Sequence, residues 1–271
     1  MRIIVTGGSG FIGKHLINRL INDNHDVYNL DKIINPLLDI NKQKITDIYD
    51  INVNDNFFDN IDCIIHLAAM VSVPRSFEDP VKSFGDNVFL TIKLLSAAHL
   101  HGIKKFVFAS SAAVYGDKEG SVSEIDETIP NSPYGLDKLT CEKYIQMYCQ
   151  QWNIDHLILR LFNVYGQGQN PEYAGVITAF NNAIKNNQPL TIYGDGEQTR
   201  DFISVNDVCH YISKFISAEI KNEIFNIGTG NSISINSLAK QFSNNIIYKD
   251  ARKEVRNSCA NIQKLLNHHV K

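Results

Sequence analysis

Ile3-Ile4-Val5-Thr6-Gly7-Gly8-Ser9-Gly10-Phe11-Ile12-Gly13 is the stretch that decides the fold of this 271-residue chain. Three apolar residues are cut off by glycines, and residues with helical spacing follow at once: Phe11, Ile12, His15, Leu16, Arg19 and Leu20. That pattern reads as strand, tight turn and helix. Asp26 to Leu30 reads as a second strand, completing a strand–helix–strand unit within about 30 residues. Glycines permit the tight turn and let backbone N–H groups approach an anion, while the helix N-terminus adds partial positive charge. Gly7, Gly10 and Gly13 therefore mark a pyrophosphate-binding turn, spaced GxxGxxG instead of the more general GxGxxG. The alternative is a glycine-rich turn that holds no ligand. Asp31 closes the second strand, 18 residues past Gly13. A carboxylate there accepts hydrogen bonds from ribose hydroxyls and repels a 2′-phosphate, which favours NAD over NADP, although Lys32 stands beside it.

Outward from this unit the alternation continues. Ile61 to Leu67 is an apolar run, a long helix spans about Pro80 to His101, and Lys105 to Ala109 is a strand. A helix from about Pro133 to Trp152 and a strand from Asp155 to Leu161 follow. Short runs rich in Val, Ile, Leu and Phe between helices predict a parallel sheet covered on both faces, an α/β fold of the doubly wound Rossmann type. Past Tyr165 the pattern loosens: a helix over about Ala174 to Lys185, a strand over Leu190 to Tyr193, a turn at Gly194-Asp195-Gly196, and helices over Asn206 to Ala218 and Ser234 to Ser243. The expected division is a dinucleotide-binding domain over 1–165, rejoined by about 195–215, and a smaller interleaved substrate-binding lobe over most of 166–271.

Composition excludes several classes. With 26 Lys+Arg against 29 Asp+Glu the net charge is −3, so nothing suggests nucleic acid or an anionic membrane as partner. No apolar run approaches the roughly 18 residues of a membrane span, and glycines follow the N-terminal strand too soon for a signal peptide, so a cytoplasmic location is expected. The five cysteines are scattered without metal spacing, so reduced core thiols and no metal site are expected.

Tyr134 and Lys138 lie four residues apart on one predicted helix face. Asn131-Ser132-Pro133 is a helix-start signal, and Ser110-Ser111 ends the strand begun at Lys105, where open parallel sheets hold ligands. A free phenol with pKa near 10 is a poor base at neutral pH, but a neighbouring ammonium and a cationic nicotinamide favour phenolate. Ser111 would then hold the reacting oxygen. The bland alternative is a Tyr and a Lys on an amphipathic helix.

These stretches together resemble the extended short-chain dehydrogenase/reductases, in particular the NAD-dependent nucleotide-sugar epimerase/dehydratase family. Those that match are Thr6 to Gly13, His66-Leu67-Ala68-Ala69, Ser110 to Gly116, Tyr134-Gly135-Leu136-Asp137-Lys138, Arg160 to Gly166 and Tyr193 to Ile203, in order over about the first 205 residues. The resemblance implies that Gly7, Gly10, Phe11, Ile12 and Gly13 form the pyrophosphate turn, that Asp31 holds the adenosine ribose and that Asp47 and Ile48 flank the adenine. It implies further that Leu67, Ala68, Ala69 and Asn87 line the cofactor channel and that Ser111, Tyr134 and Lys138 are catalytic, Tyr134 and Lys138 also touching the cofactor. Asn163 and Arg200 would grip a nucleotide-sugar diphosphate, with Val176 and Tyr193 at the uridine.

In the 4,6-dehydratases of this family an acidic pair follows the serine position; here Ala112-Ala113 stands there, and alanines transfer no protons. The form Ser-Ser-Ala-Ala-Val-Tyr-Gly is similar to that of UDP-hexose 4-epimerases. The resemblance thus implies interconversion of UDP-glucose and UDP-galactose through a transient 4-keto sugar. A decarboxylase, a 4-keto reductase and a non-catalytic NAD-binding sensor are the alternatives. Arg252 and Glu254 stand in for the family's Arg-x-Gly-acid stretch without its glycine, and Ser258 then falls where the sugar's 2-substituent is gated, leaving room for an N-acetyl group. The other reading puts Ser258 on a displaced loop. Family members run longer, and the stretch from Ile227 to Arg252 looks compressed. The helices near 80–101 and 133–152 carry apolar residues on more than one side, among them Val81, Phe84, Phe89, Leu136 and Met147, and the family resemblance implies a homodimer through them.

Overall fold

The computed structural model describes residues 1–169, 175–218, 220–251 and 255–268, leaving aside the side chain of Ile48. Arg252 and Glu254 therefore lie outside the described residues. The chain begins with β1 (Arg2–Thr6), α1 (Phe11–Asn22), β2 (Asp26–Asp31), β3 (Gln43–Ile45) and β4 (Cys63–His66). α2 (Val73–Glu78), α3 (Pro80–Phe84) and α4 (Leu90–Leu100) lead to β5 (Lys105–Ser111), α5 (Pro133–Trp152), β6 (Asp155–Leu161) and β7 (Asn163–Tyr165). Then come α6 (Val176–Lys185), β8 (Leu190–Tyr193), β9 (Thr199–Ser204), α7 (Val205–Ser217) and β10 (Glu223–Ile227). β11 (Ser232–Ser234), α8 (Ile235–Phe242), β12 (Ile246–Lys249) and α9 (Gln263–Asn267) complete the order.

Seven strands form one sheet in the order β10-β6-β5-β4-β1-β2-β3, every neighbouring pair parallel. The order reverses between β1 and β4, and a crevice opens at their carboxyl ends. Both faces are covered, which is why the strands are apolar almost end to end. On one face Leu16, Ile17 and Leu20 of α1 and Val208, Ile212 and Phe215 of α7 pack with Val5, Ile65 and Leu159; on the other, Leu94 and Leu95 of α4 and Cys141 and Ile145 of α5 pack with Ile4, Ile64 and Phe106. A smaller core of Phe180, Leu190, Ile192, Ile235 and Leu238 joins α6, β8 and α8.

Several expected elements take a different form. The continuous helix expected over Pro80–His101 is divided, because Gly85–Phe89 winds as a π turn between α3 and α4. A Cβ on Gly85 would stand 2.3 Å from Tyr49 Oη, so a side chain there would have to displace the exposed Tyr49 ring. Residues 199–204 pair with β7 in a small second sheet, and it is α7 and β10 that return to the large one. The β10 strand (Glu-Ile-Phe-Asn-Ile) was not expected, since two of its five residues are polar. The stretch before α5 behaves as its residues suggest: Ser132 accepts the Gly135 N–H at 3.1 Å, Pro133 occupies the first turn, and Asn153 ends the helix at φ 53°.

A buried polar chain ties α5 to the sheet. Arg160 on β6 donates Nε to Glu142 Oε1 at 3.0 Å and Nη2 to Glu142 Oε2 at 2.7 Å. Ser110 Oγ donates to the same carboxylate, and Arg160 Nη1 reaches Tyr115 Oη at 2.9 Å, which in turn donates to Asn226 on β10. Removing one member of such a pair leaves an uncompensated charge in the interior. Arg160→Met is therefore expected to cost about 3–5 kcal/mol in urea unfolding, and Arg160→Met combined with Glu142→Leu less than Arg160→Met alone.

Candidate active site

The crevice at β1 and β4 holds a cavity of about 220 Å³ lined by residues that include Thr6, Gly7, Asp31, Lys32, Thr46, Ala68, Ala69 and Asp86. Backbone approach makes it possible. Gly7 adopts φ +68°, and a Cβ on it would lie 2.8 Å from Ala68 N; a Cβ on Gly13 would lie 2.1 Å from Gly7 O. No side chain caps the first turn of α1, so its N–H groups are left for an anion. Asp31 stands at the rim, its carboxylate accepting the Ser9 N–H at 2.9 Å and the Ile33 N–H at 3.1 Å. A glycine cradle, an uncapped helix N-terminus and an anchored carboxylate are what a dinucleotide's pyrophosphate and ribose require, so the residues fit one.

His66 fixes the loop that follows β4. Its Nδ1 pairs with Thr6 Oγ1 at 2.8 Å and its Nε2 with Thr91 Oγ1 at 3.1 Å, while Thr6 Oγ1 also accepts the Ala68 N–H. Burial above all, and then the Lys138 ammonium, holds His66 well below its ordinary pKa, so the imidazole is neutral. Asn87, buried in the π turn, accepts the Met70 N–H at 3.0 Å and steadies the same loop. At the far rim Asp47 pairs with Lys32 at 2.7 Å, which pulls its carboxyl below the usual range.

Ser111, Tyr134 and Lys138 come together beneath this loop. Ser111 ends β5 and accepts the Ala113 N–H at 3.1 Å, starting the short turn of Ala112–Val114, and its hydroxyl lies near enough to Tyr134 to lower the phenol's pKa against burial. Lys138 Nζ donates to Ala109 O at 2.8 Å, lies 4.6 Å from the Phe108 ring centre and 6.0 Å from that of Tyr134. Burial pushes Tyr134 up to about 12, the Ser111 hydroxyl opposing it, and pushes Lys138 down to about 8. A neighbouring Lys therefore does not by itself make phenolate here: in the free protein desolvation outweighs it, and Tyr134 is a neutral phenol.

The residues expected to meet substrate gather partly. Asn163 Nδ2 donates to Asp201 O at 3.0 Å and stands 3.5 Å from Ser258 Oγ. Arg200 Nη1 donates to Thr199 O and, at 3.4 Å, to Arg256 O. The segment of Ser258 runs along β9 through Thr199 N to Arg256 O, Ser258 N to Thr199 O and Asp201 N to Ser258 O. Val176 opens α6 and packs on the small core, and Tyr193 ends β8 against Lys249 of β12. Asp201 does not serve Arg200; fully buried, it accepts from Thr229 N and Oγ1, Gly230 N and Ala260 N. That staple and the pair of Arg256 with Asp195 were not visible in the sequence, because their partners lie 28 to 61 residues away.

Residues 3–228 match the NAD dependent epimerase/dehydratase family. The chain belongs to this family, which is NAD-dependent. It is 43% identical over 246 residues to a putative UDP-glucose 4-epimerase of Methanocaldococcus jannaschii, covering 87% of this chain and 79% of that protein. It is also 33% identical over 274 residues to the dTDP-D-glucose 4,6-dehydratase of Homo sapiens, covering 94% and 77%. Among solved structures it superposes, with TM-score 0.91 and 34% identity over 97% of this chain and 90% of the other, on a UDP-N-acetylglucosamine 4-epimerase from Methanobrevibacter ruminantium in complex with UDP-N-acetylmuramic acid. No described helix is long and apolar enough to cross a membrane.

The depressed Lys138 has a stability consequence. Below pH 8 folded and unfolded chains both carry the proton, and the full cost of burying the ammonium is present; between about 8 and the ordinary Lys value only the unfolded chain keeps it, so stability rises with pH there. In urea unfolding the stability of Lys138→Met relative to wild type is expected to fall by about 3 kcal/mol between pH 7 and pH 10.5.

Proposed function

We propose that this chain is an NAD-dependent UDP-sugar 4-epimerase that interconverts UDP-glucose and UDP-galactose and accepts the N-acetylated pair as well. The observation that carries it is buried Lys138 with its Nζ 6.0 Å from the Tyr134 ring centre, beside Ser111 at the end of β5, which is followed by Ala112 and Ala113, which have no proton to give. NAD, when bound, would supply a reversible hydride acceptor for C4 of the sugar. With cofactor bound, the cationic nicotinamide and the Lys138 ammonium would favour loss of the Tyr134 proton to solvent; the phenolate would then take the proton of the 4-hydroxyl and later give it back, while Ser111 Oγ holds that oxygen. Gly7, Gly10, Phe11, Ile12 and Gly13 hold the pyrophosphate, Asp31 the ribose, Asp47 and Ile48 the adenine edge, and Leu67, Ala68, Ala69 and Asn87 the channel wall. Asn163 and Arg200 hold the substrate diphosphate, Val176 and Tyr193 the uridine. Ser258 lies beside Asn163, and a side chain this small at the sugar's 2-position would admit an N-acetyl group.

A dehydratase reading has the human relative in its favour, but Ala112-Ala113 speaks against it. Incubation with UDP-glucose and with UDP-N-acetylglucosamine is expected to yield the 4-epimers with no change of mass and no net reduced cofactor. Tyr134→Phe is expected to lower kcat by at least about 100-fold. A product lighter by one water, or conversion of the non-acetylated pair alone, counts against the respective part of the proposal.

The assembly we infer is a homodimer through the outer faces of α3, α4 and α5. Val88, Leu94, Leu95 and Ile145 are buried against the sheet, whereas Val81 is 83% exposed and Phe84, Leu136 and Met147 about half exposed. An apolar surface of this kind fits a second copy of the chain. Sedimentation at micromolar concentration is expected to give twice the chain mass, and Val81→Glu with Leu136→Glu to give the monomer.

A further inference from the structure

Asp137 lies between Tyr134 and Lys138, yet it is turned into the protein and only 7% exposed. Its Oδ2 accepts from Ser83 Oγ of α3 at 2.5 Å and from Asn87 Nδ2 of the π turn at 3.3 Å. Asn87 closes on Met70, accepting its N–H and donating to its carbonyl at 3.3 Å. Met70 directly follows Ala68 and Ala69 of the cavity wall. One carboxylate thus joins the helix of Tyr134 and Lys138 to the π turn and, through Asn87, to the loop beside the cavity.

Its charge also differs from the other acid nearby. Lys138 Nζ bonds the Ala109 carbonyl and lies over the Phe108 ring of β5, with the Tyr134 ring centre 6.0 Å away; Cys141, Asp137 and Glu142 of α5 act on it electrostatically, and His66 of β4 is neutral. Glu142 is matched by two hydrogen bonds from Arg160. The two donors to Asp137 are a hydroxyl and a side-chain amide, both neutral. Burial works against the ammonium, and Cys141, Asp137 and Glu142 work for it.

We propose that Asp137 is a positioning residue: held by Ser83 and Asn87, it ties the cavity loop to α5 and keeps an unmatched negative charge beside Lys138, so that the lysine stays an ammonium at working pH. This rests on Tyr134 and Lys138 being the reacting pair. Asp137→Asn keeps the shape of the clasp and removes the charge, whereas Ser83→Ala removes a donor and keeps the charge.

The test is a carbon-13 NMR titration of Lys138 Cε in the ligand-free protein, assigned with Lys138→Met, beside kcat and KM as functions of pH. In Asp137→Asn the Lys138 midpoint is expected to fall by about half to one pH unit, and the alkaline limb of kcat to move with it. In Ser83→Ala the midpoint stays and only thermal stability drops. An unmoved midpoint in Asp137→Asn overturns the proposal, and so does an equal shift in both variants, which makes the clasp alone responsible. Should Asp137→Asn not fold, Asp137→Glu, which keeps the charge and strains the clasp, is expected to hold the wild-type midpoint; a fall there overturns the proposal as well. A wild type that converts no nucleotide sugar refutes the catalytic reading, while the titration of the free protein still decides the role of Asp137.

Discussion

At Gly13 a hydrogen stands where any other residue would drive a carbon to 2.1 Å from the Gly7 carbonyl. Much else depends on that contact. It presses α1 onto the turn after β1, which aims the N-terminus of the helix at the crevice and brings Leu16, Ile17 and Leu20 onto the sheet. Gly7, at φ +68°, meets the backbone of Ala68 in the same way and so joins the turn to the loop after β4. The crevice is thus made by backbone contact at the point where strand order reverses, and side chains only line it.

Around that crevice the interior is polar by design of its partners. Glu142 and Arg160 satisfy each other, Asp201 accepts four neighbouring groups, His66 is neutral between two threonines, and Asp137 rests on Ser83 and Asn87. Each of these named groups has hydrogen-bond partners, because an unsatisfied one would cost on the order of 1–3 kcal/mol or more. Among the described residues Lys138 has no ion-pair partner: its Nζ bonds a neutral carbonyl, and burial lowers it to about 8. A perturbed titratable group inside a cleft is the usual mark of chemistry.

The glycine turn, the alternation of strands and helices and the four-residue spacing of Tyr134 and Lys138 were legible because each depends on residues close in sequence. The π turn was not, since it is one extra residue in a helix whose apolar spacing continues through it, and neither was β10, whose polar Asn226 reads as loop until Tyr115 and Val122 are seen to satisfy it. Ser258 was placed by counting from Glu254 and left between two readings; only the fold shows that its segment runs along β9.

By itself the sequence determined the parallel sheet, the anion turn and the residues Ser111, Tyr134 and Lys138, because local backbone preference and periodicity act over a few residues. Only the tertiary structure decided the protonation states, since burial comes from distant elements packing over a group: Tyr134 is a neutral phenol, Lys138 a weakened ammonium and His66 an uncharged strut. It also decided how the two acids of α5 are held. Glu142 and Asp137 look alike in the chain, and only the fold sets Arg160 against one of them and neutral donors against the other.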